Sequence, residues 1–340
     1  MAANSRTRIQ DVAAAAGVSI KTVSRVMNNE PGVRPEKGAR VRAAMAELDY
    51  QPSLHARSLA GKRSRLLGLV YENPSANYVF DIQSGAMAKC REAGLRLIVQ
   101  SCNDLGDSLI AEVLAMAEQT HVDGLIVTPP LSGNRALIAA LDARGLPFVR
   151  IAPDGVPHPS PFIEMDDESA AREMTAYLLG LGHRRIGFIA GHPDHHSSQL
   201  RVAGYRAELA SRGIDPATLP LEQGFNDYAS GREAARRMLS KAHRPTAVFA
   251  SNDDMAAGVI LAAHELGLDV PGELSVAGFD DTQLAAIVWP TLTTIHQPTR
   301  EMSHAATGLL IDLITGGNPP LANQLGYRMM TRGSTAPLAG

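Results

Sequence analysis

Within the stretch 17–28, GVSIKTVSRVMN, Lys21 and Arg25 stand four residues apart, with Ser24 and Asn28 between and beyond them. On a helix this spacing puts both cations on one face, a turn apart. Long cations beside short hydroxyl and amide groups suit charge-assisted hydrogen bonds to a polyanion. A guanidinium can also grip the O6/N7 edge of guanine with two donors at once. Elements able to hold such a face are written into the flanks. Ile9, Val12, Ala13 and Ala16 recur at i, i+3, i+4 and i+7, the apolar stripe of a short helix. Gly17 breaks that pattern, and Ser19 is a good N-cap for a second helix whose buried stripe is Val23, Val26 and Met27. A third amphipathic helix follows Pro35, with Val41, Ala44, Met45 and Leu48 facing inward. Two short helices joined through a glycine turn, the second carrying the cations, read as a helix-turn-helix. Taken alone, the pattern also fits an ordinary three-helix cap with a solvated charged face.

The distribution of charge favours the first reading. Residues 1–65 hold 12 Lys/Arg against 5 Asp/Glu, although the whole chain holds 32 against 35. The head is therefore basic and the remainder acidic, which suits a head that meets a polyanion while the body stays off it. Nothing approaches the 18 or so uninterrupted apolar residues of a membrane span. MAANSRTRIQD lacks the apolar core of a secretory signal. Cys90 and Cys102 show no CxxC spacing and read as reduced, structural thiols of a cytoplasmic protein.

From 66 the texture changes to short apolar runs alternating with amphipathic segments. Expected strands are LLGLV (66–70), RLIVQ (96–100), GLIVT (124–128) and PFVRI (147–151), with helices near 82–93, 107–120 and 135–144. The pattern restarts after Asp166, with a helix near 169–181, then RIGFIA (185–190), a helix near 200–212, AVFAS (247–251), a helix near 255–266 and LSVAGF (274–279). A last helix near 302–314 is expected to return to the first half. Alternation of this kind predicts two similar halves, each a doubly wound parallel α/β sheet. Ligands bind such sheets outside the carboxyl ends of the strands. There Arg201, Asn252 and Asp280-Asp281 follow the runs that begin at 185, 247 and 274.

The segment 11–64, with DVA, AGVS, TVSRV, Asn28, the Tyr50-Gln51-Pro52 step and Leu59-Ala60-Gly61 in order and spacing, resembles the DNA-binding headpiece of the LacI/GalR family of bacterial transcriptional repressors. Family-like patches extend the resemblance over nearly all 340 residues. It implies that Ile20, Lys21 and Arg25 read base edges, and that Thr22, Ser24 and Asn28 clamp phosphates. Arg34, Lys37 and Arg40 are further phosphate candidates. In SLHARSLAG (53–61), about two turns of marginal helix, it implies contacts from Ala56 and Leu59, the leucine of each subunit wedging into the minor groove at the centre of a palindromic operator. Arg8 stands where the family usually has a threonine cap, and Thr7 lies one residue early.

In the body the resemblance rests on the Arg of RVAGY, the Asn252-Asp253 pair and the GFDD turn. It implies an effector cleft between two periplasmic-binding-protein-like lobes, with Arg201, Asn252 and Asp280 hydrogen-bonding a small molecule. Glu72, Tyr78, Ser197, Asn226 and Gln297 are further candidates, Asn73 follows the first strand beside Glu72, and Asp281 reads as structural. His195 or His196 could also line the cleft. Many relatives carry an acidic residue just after the strand that ends here at Ile151, whereas this chain has Ala152-Pro153.

The expected protein is a homodimeric, sequence-specific repressor. Its partners are double-stranded operator DNA and a small-molecule effector, a sugar in the first place, with a purine or another metabolite as corepressor the alternative. The headpiece is expected over 1–52, a hinge over 53–63, and the effector and dimerisation domain over 64–340. The first lobe of that domain takes about 64–165 and 296–325, the second about 166–295 and 326–340. No leucine heptad follows Arg332, so a dimer is expected rather than a tetramer. No cofactor is expected. His183, His192, His195 and His196 have no HExxH or paired spacing, so no metal is expected either. A solute-binding protein would have a signal peptide and no headpiece, and no GxGxxG, GKS/T or GxSxG supports an enzyme.

Overall fold

The computed structural model describes residues 7–27, 31–50, 63–102, 106, 108–155 and 157–338. Two compact units emerge: residues 1–66 with 121–123, and residues 67–120 with 124–340. The short segment 121–123 joins the first unit because the Asp123 carboxylate accepts the Ser64 and Arg65 backbone N–H groups, both at 2.8 Å.

The first unit contains α1 (Ile9–Ala16), α2 (Ile20–Met27) and α3 (Pro35–Glu47). Their apolar stripes meet in a small core of Val12, Ala13, Ala16, Val23, Val26, Val41, Ala44 and Tyr50, with Ile9, Met27, Met45 and Leu48 packed against it. Gly17 ends α1 at φ 62°, a left-handed conformation open to glycine. The Arg40 guanidinium, a candidate for phosphate, donates to the carbonyls of Ala16 (Nε, 3.0 Å) and Gly17 (Nη2, 3.0 Å), satisfying the orphan end of α1. Without a threonine cap, the start of α1 is held by Asp11, whose carboxylate accepts the Arg8 N–H at 2.7 Å, while Thr7 donates to the Leu48 carbonyl.

The second unit is two lobes. In the first, a six-stranded sheet runs in the order β11-β5-β4-β3-β1-β2, where β1 is Leu66–Tyr71, β2 Arg96–Ser101, β3 Leu125–Val127, β4 Phe148–Ile151, β5 Phe162–Glu164 and β11 Ala322–Gln324. Pairings β1–β3, β3–β4, β4–β5 and β5–β11 are all parallel. The second lobe has a four-stranded sheet in the order β7-β6-β8-β9, built of β6 (Ile186–Ala190), β7 (Leu221–Gln223), β8 (Ala247–Ala250) and β9 (Ser275–Ala277), also parallel. Separate apolar cores cover its two faces. An antiparallel ribbon of β10 (Thr294–His296) and β12 (Arg328–Met330) carries the chain between lobes. Thus the architecture is α/β, an all-helical headpiece followed by two doubly wound lobes.

Most sequence-based elements are present with ends shifted by a few residues, usually because a helix starts earlier at its cap. Helix Asp253–Glu265 begins at the Asn252 cap rather than near 255, and His196–Ser211 begins ahead of 200. Missed altogether were β5, β7, β10, β11, β12, the short helix Gln283–Ile287 and the full helix Tyr228–Leu239. That helix has an Asp227 cap accepting the Ser230 N–H at 2.8 Å and an Ala234, Ala235, Met238, Leu239 stripe. Its interior Gly231 and paired arginines weaken the apolar pattern.

Helices Ala76–Glu92 and Thr299–Ile314 cross closely in the first lobe, the second returning from the far end of the chain. At the crossing the Ser303 hydroxyl donates to the Ile82 carbonyl at 2.6 Å, and a Cβ on Gly85 would run into the Arg300 carbonyl. Replacing Gly85 by alanine adds about 1 kcal/mol of helix propensity but forces two backbones apart at a typical cost of about 1–3 kcal/mol. Gly85→Ala is therefore expected to lower the urea midpoint of unfolding, whereas an exposed Gly→Ala change in a helix would raise it.

Candidate functional site

On α2 the buried face is Val23 and Val26, which turns Lys21 outward and leaves Ile20 46% exposed. Thr22, Ser24 and Arg25 are half-buried at the edges of this face. The Ser19 hydroxyl accepts the Thr22 N–H at 3.2 Å and lies 3.0 Å from the Thr22 hydroxyl, so the start of the helix is capped as its sequence suggests. Arg25 folds toward the following loop and donates from Nη2 to the Pro31 carbonyl at 2.6 Å. Asn28, Ala56 and Leu59 lie outside the described residues.

Between the lobes of the second unit, one cavity is lined by Tyr78, Ser197, Arg201, Asn226, Asn252, Asp280 and Gln297. Seven of the eight effector candidates thus meet at the facing strand ends. The eighth, Glu72, sits just beside: its Oε2 is 3.6 Å from His195 Nε2 on the opposite lobe. Neither atom has a hydrogen-bond partner among the described residues, and nor does the buried Ser251 hydroxyl. Ser75, Pro129 and Ser198 also line the cavity, though no sequence motif singled them out, and so does Ala152, at the position where many relatives carry an acidic residue.

Arg201 is the hub. It is 6% exposed and rises from helix His196–Ser211 with Nε donating to Asp167 at 2.8 Å, Nη1 to the Ser251 carbonyl at 2.6 Å and Nη2 to Gln297 Oε1 at 3.0 Å. Asp280 Oδ1 is 3.6 Å from Nη1, and the guanidinium lies 3.6 Å above the Phe279 ring. Burial raises the Asp167 and Asp280 carboxyls above the ordinary aspartate range, and the Arg201 charge holds both back. Burial also raises the Tyr78 phenol, which stays neutral.

Several candidates are already engaged. Asn252 accepts the Met255 N–H (2.9 Å) and donates to the Asn226 carbonyl (2.9 Å), so its side chain caps a helix and ties a loop. Asn226, at φ 64°, accepts the His192 N–H. Asp281 has the structural role expected of it, pairing with Arg332 at 2.5 Å and His296 at 3.1 Å. His183 is buried between Thr246 and Ser275, each at 3.0 Å, far from the role of a ligand.

The cavity is narrow. It encloses about 30 Å³, room for water but not for a sugar ring. A latch holds it: Ser75 and Asn77 of the first lobe both donate to the Asp254 carboxylate of the second, Asn77 at 3.3 Å. Next to the latch, burial pushes the Asp253 carboxyl up to about 7, against hydrogen bonds from Thr294 and Thr282. The folded protein therefore keeps a proton that the unfolded chain, titrating near 3.8, has released. This group's contribution to stability falls as pH rises from about 4 to 7. Asp253→Asn is expected to flatten that fall, as read from urea midpoints across the window.

Comparison with known proteins agrees with this geometry. Residues 8–53 match the family model described as bacterial regulatory proteins, lacI family, and residues 175–335 match the periplasmic binding protein-like domain. The chain is 37% identical over 311 residues to the HTH-type transcriptional repressor PurR of Pectobacterium carotovorum subsp. carotovorum, covering 90% of each protein. It is 35% identical over 333 residues to the ribose operon repressor of Escherichia coli K12, covering 96% of this chain and 99% of that one. The lac repressor dimer bound to operator and the anti-inducer ONPF superposes with a TM-score of 0.85 at 31% identity, over 97% of this chain and 99% of that one. The chain belongs to the LacI family of bacterial regulatory proteins.

Proposed function

We infer that this protein is a transcriptional repressor of the cytoplasm that binds a palindromic operator as a homodimer, and that a sugar in the interlobe cleft sets its affinity for that operator. Likeness to the ribose operon repressor and to an operator-bound repressor dimer supports the reading. The observation that carries it is the pairing of a capped helix bearing Lys21 and Arg25 with a cleft centred on the buried Arg201 fork. A guanidinium flanked by carboxylates, with amides around it, offers the alternating donors and acceptors that neighbouring hydroxyls need. Aromatic faces suited to stacking a purine are scarce: Tyr78 and His195 are the only aromatic side chains in the described lining.

On DNA, Ile20, Lys21 and Arg25 would meet base edges, while Thr22, Ser24, Asn28, Ala56 and Leu59 would fix register and shape. In the body, Glu72, Tyr78, Ser197, Arg201, Asn226, Asn252, Asp280 and Gln297 would surround the effector. The narrow volume makes the coupling physical. A ring enters only if the lobes move, which strains the Ser75–Asp254 latch and changes the population of lobe arrangements. A ligand that binds one arrangement better shifts operator affinity by that difference, in either direction.

The test is fluorescence anisotropy on a pool of symmetric duplexes at two salt concentrations, with and without a panel of sugars. Selective binding that a sugar alters is expected. Equal binding to every duplex, with only salt-dependent affinity, would overturn the operator reading. Arg25→Ala should cost about 1–3 kcal/mol of discrimination at one base pair while leaving the sugar response intact. Arg201→Lys keeps the charge but loses the planar fork, so it should retain operator binding and lose the sugar response.

A further inference from the structure

The narrow cavity does not end at its own walls. A second, roomier chamber of about 290 Å³ adjoins it, lined by the loop 129–134, Ala152, Asp154, Asp194 and His196. Pro129 and Ala152 belong to both chambers and form the wall between them. That wall is a pyrrolidine ring and a single methyl. Ala152 sits at φ 42°, an unusual conformation for any residue but glycine. Two bonds hold it there: its N–H donates to the Ile163 carbonyl at 2.7 Å, and its own carbonyl accepts the Ser132 hydroxyl at 3.3 Å.

We propose that the effector is an uncharged glycoside of at least two sugar units, one ring held at Arg201 and the next passing over Ala152 into the outer chamber. The inference rests on the sugar reading of the cleft and refines it.

Three observations lead there. First, the Pro129–Ala152 wall offers no side-chain hydrogen-bond partner, in a chamber otherwise lined by polar groups such as Arg201, Asp280, Asn226 and Gln297. A hydroxyl pointed at that wall would be buried unpaired, a costly arrangement. A glycosidic oxygen in its place donates nothing and leads outward. Second, the outer chamber supplies Ser132, Asn134, Asp194 and His196 around a volume near the lower end of ordinary ligand pockets. Third, the charges exclude an anion. Arg201 is the only lysine or arginine in the described lining of either chamber, and Asp167 and Asp280 already surround it. Glu72 and Asp194 add further negative charge, so a phosphorylated sugar or a uronate would meet repulsion.

The experiment is calorimetric titration of the full-length protein with three sets of probes. These are glucose, galactose, xylose and fructose; disaccharides built from them; and hexose 6-phosphates. Operator binding is measured in parallel to establish that each preparation is folded. At least one disaccharide is expected to bind tenfold or more tightly than either of its component units. Ala152→Leu fills the passage and should abolish that advantage. Asp194→Ala, at an exposed position, should weaken the disaccharide alone and serves if the core variant fails to fold. Equal affinity for disaccharide and monosaccharide, or tightest binding of a phosphorylated sugar, overturns the extended site but leaves the sugar effector standing. No response to any compound from protein that still binds operator overturns both.

Discussion

A buried guanidinium organises the body of this protein. Arg201 is largely withdrawn from water where it sits, and the fold surrounds it with acceptors from four separate places: Asp167 at a helix start, the Ser251 carbonyl at a strand end, Gln297 on a crossing segment and Asp280 at a turn. Each of these lies at or next to the carboxyl edge of a strand or the opening of a helix in the second lobe. Removing the arginine would leave two buried carboxylates without compensation, the kind of loss that costs about 3–5 kcal/mol. The same requirement that gathers the acceptors also leaves polar groups facing the opposite lobe. Stability of the lobe and the polar lining of the cleft share one network.

That network faces a lobe whose own contribution is mostly latch and wall. The first lobe offers Ser75 and Asn77 to Asp254, Glu72 to His195, and the small side chains of Pro129 and Ala152. One lobe is thus rich in fixed charge and the other in short polar and apolar groups. Such a division lets the cleft close without bringing two buried charges of like sign into contact. Glu72 Oε2 and His195 Nε2 face each other across the cleft at 3.6 Å, and neither has a hydrogen-bond partner among the described residues.

Much of this was legible in the sequence, for reasons of period and punctuation. The headpiece helices could be read because apolar spacing, Gly17, Ser19 and Pro35 all agree on the same boundaries. The long buried strands announced themselves as apolar runs; Asn252 and Asp280 were visible because they follow such runs directly, and Arg201 because it opens the RVAGY patch. Three-residue strands such as β5 and β11 were not visible, since pairing with a distant segment, not local pattern, makes them strands. Arg40 as a strap on α1 and Asp254 as a latch were equally hidden, and Ala152 was noted only for the acidic residue it replaces. Each depends on which residues the fold brings opposite it, and an arginine, an aspartate or an alanine carries no mark of its partner.

The interleaving of the lobes sets the order in which the molecule can be made. The core of the first lobe contains Met302, Ala306 and Leu310, and its sheet ends on a strand at Ala322–Gln324, so a ribosome must deliver almost the whole chain before that core can close. The headpiece has a core drawn entirely from residues 12–50, and the two faces of the second lobe's sheet are filled mainly by 165–295. Assembly during synthesis therefore runs head first, then second lobe, with the first lobe completed last although its strands emerge early. Apolar strands such as LLGLVY wait exposed through most of translation, which makes the nascent first lobe the part of this protein most in need of a chaperone.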